Sequence, residues 1–316
     1  MDCGFVEALD VMLPMILASD ITLTEMMTRQ SVADYNLLIE AIHHQHALVP
    51  MIYSHFEQAG RGKQLLEYID PWGGTALDLA LEYSYFDIAT FLLGKGASYD
   101  VYRLQGDHTD DEGKQSTLAS VLPRMKAIKF LMALSPPPRL VVTSTGFNVF
   151  HILATDENLI GTTVGHVEFR NVLEYFYELD SSLIHAEGGA SGLTPFHLVS
   201  IHYSHAVGEF LHEKGADVNA RSEKGYTPLD VLLFHDAGDR KQEERLTIGG
   251  GEGDGPATMG IAICDYALAG PAYWTKETQI ARKMFSLYRA WGAKRRDQLD
   301  GGEEGLVAEY ELLDLL

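Results

Sequence analysis

One string occurs twice in this chain. Gly192-Leu193-Thr194-Pro195-Phe196-His197 and Gly225-Tyr226-Thr227-Pro228-Leu229-Asp230 share the pattern Gly-x-Thr-Pro-apolar-His/Asp and lie 33 residues apart. Each position has a local task. The Thr can cap a helix N-terminus, where four backbone N–H groups lack partners. The Pro follows at the first helical position, where a missing N–H costs little. Phe196 and Leu229 are placed to point between two helices of one unit. Between the copies run an amphipathic stretch and Lys214-Gly215-Ala216-Asp217-Val218-Asn219-Ala220, in which Gly215 suits the left-handed end of a second helix. A period this short describes a unit that cannot bury its apolar face alone, so neighbouring units must stack.

The same pattern echoes elsewhere. Gly73-Gly74-Thr75-Ala76-Leu77-Asp78-Leu79-Ala80 opens a unit that closes over Asp87 to Ala97, with Gly96 as its helix end. Gly146-Phe147-Asn148-Val149-Phe150-His151 opens another, continued by Gly165-His166-Val167-Glu168-Phe169. Asn36 to Ala41 and the stretch 116–134 are degenerate versions, and a last second helix resumes near Thr275 and ends at Gly292-Ala293. The chain therefore resembles the ankyrin repeat proteins, whose period and Thr-Pro-Leu-His signature these strings match. The resemblance implies an all-α repeat protein: a solenoid of stacked helix-turn-helix units joined by short β-hairpin loops. Six Thr-equivalent slots result, Asn36, Thr75, Ser116, Asn148, Thr194 and Thr227, spaced by 39, 41, 32, 46 and 33 residues. The departures are Ala76 for Pro, Asp78 for His, and insertions at 101–115, 155–164 and 236–275, the last holding the glycine-rich run Gly249 to Gly255. That run lacks the Lys-Ser/Thr of a phosphate loop and reads as a linker. The expected organisation is capping helices over 1–34, the solenoid over 35–296 with its sixth repeat split, and an acidic tail over 297–316.

Charge narrows the function. The net charge is −21 and the pI about 4.9, which disfavours nucleic acid and suits a basic protein partner. Cys3 and Cys264 have neither disulfide-framework nor metal-type spacing. The apolar run Val11 to Ala18 is broken by Pro14, has no basic region before it, and is too short to span a bilayer. The expectation is a monomeric protein of the cytoplasm or nucleus, with no cofactor, no metal and no membrane association.

Thirteen histidines invite a catalytic reading. His151 and His197 fall in the structural His slot of the resembled family, and no metal-binding helix motif accompanies the others. The resemblance implies instead that partners meet the hairpin tips and the ends of the first helices. Slot by slot, these positions give Trp72, Phe147 and Tyr226 on hairpins, and His43, His44, Tyr83, His202 and His235 on helix ends. Aromatic residues of this kind are common interface anchors. The first reading is thus a non-catalytic adaptor that binds a protein through its concave face. The alternative is an enzyme or small-molecule binder whose groove, closed by 236–275, uses His43, His202 or His235 as acid–base groups. Packing of some of these aromatics against the chain's own insertions is a third outcome.

Overall fold

The architecture comes from a computed structural model, which describes residues 37–44, 46–70, 74–104, 114–155, 166–234 and 276–300. The expected capping helices over 1–34, Trp72, His235, nearly all of the insertions at 155–164 and 236–275, and the tail beyond 300 lie outside the described residues.

The described chain is predominantly helical and divides into two compact units, Met1–Ser144 and Thr145–Leu316. The first unit contains α1 (Leu37–His44), a 3₁₀ turn (His46–Leu48), α2 (Val49–Gln58), α3 (Gly62–Glu67), α4 (Ala76–Glu82), α5 (Phe86–Gly94), α6 (Thr117–Ser120) and α7 (Met125–Met132). Two short strands, β1 (Arg103–Leu104) and β2 (Lys114–Gln115), pair antiparallel between α5 and α6. The second unit contains α8 (Val149–Thr155), α9 (His166–Leu179), a 3₁₀ turn (Ser181–His185), α10 (Pro195–His202), α11 (His205–Glu213), α12 (Pro228–Phe234), α13 (Lys276–Ala290) and α14 (Arg296–Leu299).

Within each unit, helices pair along the chain and first helices stack on one another. In the first unit α1 packs on α2 and α4, and α4 packs on α5 and α6. In the second, α8 packs on α10, α10 on α11 and α12, α9 on α11, and α12 on α13. Apolar side chains at helical spacing drive this. Leu38, Ile39 and Ile42 are fully buried on α1, and Phe169, Val172, Leu173 and Phe176 line one face of α9. Burying a side chain of this size stabilises by about 1.5–3 kcal/mol. The second helices of the regular pairs end where glycine was expected: Gly96, Gly215 and Gly292 have φ of +95°, +84° and +75°.

Two elements were not foreseen. Helix α3 follows α2 closely because Gly62 has no side chain; a Cβ there would come within 2.9 Å of the Tyr53 hydroxyl. The stretch 101–115, expected as a loop, contains the paired strands β1 and β2, and Gln115 also bridges Thr143.

A hairpin turn in the second unit shows how tightly the loops are fitted. Gly188 pairs with Leu193, and the ring of Phe147 lies against Gly188 and Gly189. A Cβ on Gly188 would sit 2.6 Å from Phe147 Cδ1 and 2.9 Å from the Gly146 carbonyl oxygen. Gly188→Ala is therefore expected to destabilise by about 1–3 kcal/mol, the usual cost of overpacking, seen as a lowered urea midpoint with unchanged helical circular dichroism.

Candidate interaction surface

The cap residues do more than start helices. Thr75 and Asp78 form a closed box: Asp78 Oδ2 accepts from the Thr75 N–H and hydroxyl at 2.8 Å each, and the Asp78 N–H donates back to Thr75 Oγ1 at 3.3 Å. Thr227 and Asp230 repeat the backbone part of the arrangement at 3.0 and 3.2 Å, with the one Thr227 hydroxyl proton shared between Asp230 Oδ2 at 3.0 Å and the Lys294 carbonyl. In the His-bearing units the ring replaces the carboxylate. His197 Nδ1 accepts from the Thr194 N–H at 3.1 Å, and His151 Nδ1 accepts from the Asn148 N–H at 3.2 Å. With Nδ1 used as an acceptor, Nε2 carries the proton. It donates forward to the hairpin of the next helix pair: His151 to the Leu193 carbonyl at 2.8 Å, His197 to the Tyr226 carbonyl at 2.9 Å. Burial pushes both rings down from an ordinary 6.5 to about 4, against the raising effect of those same carbonyls. Both rings are inaccessible, neutral and fully committed, so these two histidines are scaffold.

The last helix pair is closed by the chain itself. The Arg296 N–H donates to Asp230 Oδ2 at 2.8 Å, Thr227 Oγ1 donates to the Lys294 carbonyl at 2.8 Å, and the Lys294 N–H donates to Asn219 Oδ1 at 2.6 Å. The Arg295 N–H donates to the Gln298 side chain at 2.8 Å, so Arg295 and Gln298 occupy the Thr and His positions of the box. Arg296 also lies over the Tyr226 ring, 4.7 Å from its centroid.

These contacts sort the expected binding residues. Phe147 is half-buried and stacks on His151 with ring centroids 5.0 Å apart. Tyr226 is half-buried beneath Arg296. His202 ends α10 half-buried, and Tyr203 after it takes a left-handed φ of +54°. The residues that the structure brings together at a surface are in the first unit. Tyr83, just past the end of α4, is 46% exposed, and its hydroxyl is hydrogen-bonded to His43 Nδ1 of α1 at 3.0 Å. The His43 ring meets Tyr83 edge-on at 5.4 Å, and Tyr85 lies 5.7 Å beyond Tyr83. On the other side His44 lies 6.1 Å from His43, and its Nε2 is 3.4 Å from Glu40 Oε2. The result is a continuous strip, Glu40–His44–His43–Tyr83–Tyr85, that crosses from the first helix of one pair to the next. Glu82 borders it and pairs with Arg124 at 2.7 Å.

Tyr85 was not among the expected residues. Its signal in the sequence is its place two residues after Tyr83, at the turn between α4 and α5. Among the described residues, no group of three or more His, Cys, Asp or Glu is placed to hold a metal ion, and no helix is long and apolar enough to cross a membrane.

Compared with protein families and with curated proteins, the chain matches none. Among solved structures it is similar to one described as a predatory endopeptidase of Bdellovibrio bacteriovorus in complex with an immunity protein. The identity is 22% and the TM-score 0.40, over 62% of this chain and 89% of that chain. A likeness this distant bears on neither fold nor function.

Proposed function

We propose that this chain is an ankyrin-type repeat protein of the cell interior that serves as a protein-binding adaptor. The repeat reading is supported by the cap boxes at Thr75, Asn148, Thr194 and Thr227, by the left-handed glycines that end the second helices, and by first helices stacked on first helices within each unit. The observation that carries the binding reading is the strip from Glu40 to Tyr85. It lies at the ends of first helices, where the resemblance locates partner contacts, and it presents an exposed tyrosine held in place by a histidine of the neighbouring pair. A pre-positioned aromatic loses little conformational freedom on binding, which is what an anchor requires.

The catalytic alternative has less to stand on. His235 and the closing segment lie outside the described residues, and His43 is tied to Tyr83. His151 and His197 are spoken for by backbone groups.

The test is affinity purification from the source cell with the wild-type chain and with a His43→Ala, Tyr83→Ala variant, followed by identification of what is retained. Removal of one aromatic anchor and its support is expected to weaken a direct partner by roughly 2 kcal/mol or more, about thirtyfold, with unchanged helical circular dichroism. A set of retained proteins identical for the two chains would exclude this surface as the binding site. His202→Ala, made separately, asks the same of the second unit.

A further inference from the structure

From the strip on the first unit, and resting on the adaptor reading above, we infer that the partner presents an arginine, which stacks on the exposed face of Tyr83 beside the carboxylates of Glu40 and Glu82. The partner segment is a basic peptide.

Three kinds of observation carry this. The first is what the chain does at three of its other tyrosines. Arg139 lies over Tyr102 at 4.7 Å and is held by Asp100 at 2.9 Å. Lys95 lies over Tyr53 at 5.3 Å and pairs with Glu57 at 2.9 Å. Lys214 lies over Tyr177 at 5.0 Å and pairs with Glu174 at 2.8 Å. Each is a ring, a cation above it and a carboxylate beside the cation, built from side chains distant in sequence. Tyr83 has an exposed ring, with Glu82, already paired to Arg124, next to it in sequence and Glu40 on the helix that carries His43, and among the described residues no cation lies over the ring.

The second is geometry. Tyr83 is 46% exposed although its hydroxyl is held by His43 and the Tyr85 ring lies tilted by 32° to it at 5.7 Å. The ring is held open rather than folded down onto the surface. The Glu40 carboxylate meets only the His44 ring among the described residues, so it retains capacity for a donor. The third is field. A chain of net charge −21 attracts cationic segments and speeds their encounter. Arginine fits better than lysine, because its planar, weakly hydrated guanidinium stacks on an aromatic face while its N–H groups still reach a carboxylate.

The test uses the full chain and a fluorescein-labelled Gly/Ser peptide carrying several arginines, read by fluorescence anisotropy at physiological salt. A matched peptide with citrulline in place of arginine keeps the shape and removes the charge. The arginine peptide is expected to bind and the citrulline peptide not to. Tyr83→Leu, which keeps bulk and loses the aromatic face, is expected to weaken binding about fivefold to tenfold; Tyr83→Phe is expected to retain it. Glu40→Gln should weaken binding, whereas Glu67→Gln, which neutralises an exposed carboxylate on α3, should not. If Glu67→Gln and Glu40→Gln act equally and Tyr83→Leu has no effect, the peptide is reading diffuse acidic charge and the inference falls. If Tyr83→Leu releases the partner recovered from the cell yet binds the arginine peptide as the wild type does, the surface is a binding site and the arginine assignment alone is overturned.

Discussion

Replacing His197 with alanine is expected to destabilise the second unit by about 3–5 kcal/mol, a larger loss than that expected for Gly188→Ala. The ring is fully buried and serves three groups at once: the Thr194 N–H, the Thr194 hydroxyl at 2.8 Å, and the Tyr226 carbonyl. Alanine leaves the Thr194 N–H and hydroxyl without the ring, removes one of two donors to the Tyr226 carbonyl, which keeps the Ser222 N–H at 3.0 Å, and opens a cavity the size of an imidazole. Each buried group left unpaired costs about 1–3 kcal/mol, and partial relaxation of the site recovers only some of it. The measurement is urea unfolding followed by circular dichroism. A shift in midpoint no larger than that of an exposed control such as His44→Ala would show that the ring does not join successive helix pairs.

Acid should act on the same joints. His151 and His197 titrate near 4 in the folded chain and near 6.5 when exposed by unfolding. Between those values the unfolded chain binds more protons than the folded one, so stability rises with pH there. The contribution of the two rings is fully present above about pH 6.5. It is lost as pH falls, since each ring must either charge in a buried site or leave it. Each contributes a slope of up to about 1.4 kcal/mol per pH unit in that window, on the order of 3 kcal/mol per ring by pH 4. Unfolding free energies measured from pH 7 down to pH 5 should fall along a curve whose slope is roughly halved in His197→Ala. Paired carboxylates contribute mainly below that range, which keeps the two effects apart. A flat profile between pH 7 and pH 5 would mean that the rings are not held neutral by burial.

Where the sequence was readable, it was readable for local reasons. Thr75, Thr194 and Thr227 cap helices because capping is decided within four residues, and the pattern contains all four. Gly96, Gly215 and Gly292 could be placed because a left-handed backbone favours glycine wherever it occurs. His43, His44 and Tyr83, chosen by slot, lie close together because α1 and α4 pack on each other. What stayed hidden depends on residues far apart in the chain. Nothing near Tyr226 announces that Arg296, seventy residues later, will cover its ring. Phe147 has the composition of an anchor, but its ring is placed against Gly188 and Gly189, forty residues on. The β1–β2 pair was missed because two-residue strands leave no periodic signal.

The residue three places after the cap at Thr75, Asn148, Thr194 and Thr227 also sets the direction of the hydrogen bond to the next helix pair. A histidine there sends a proton forward, toward a carbonyl of the next hairpin. An aspartate can only receive one: Asp78 shares the Ser120 hydroxyl, at 3.2 Å, with the Thr117 carbonyl, and Asp230 takes the Arg296 backbone N–H. The joints thus have polarity, like plugs and sockets of two kinds. One side-chain position thus decides whether a junction is made by giving or by receiving a hydrogen bond.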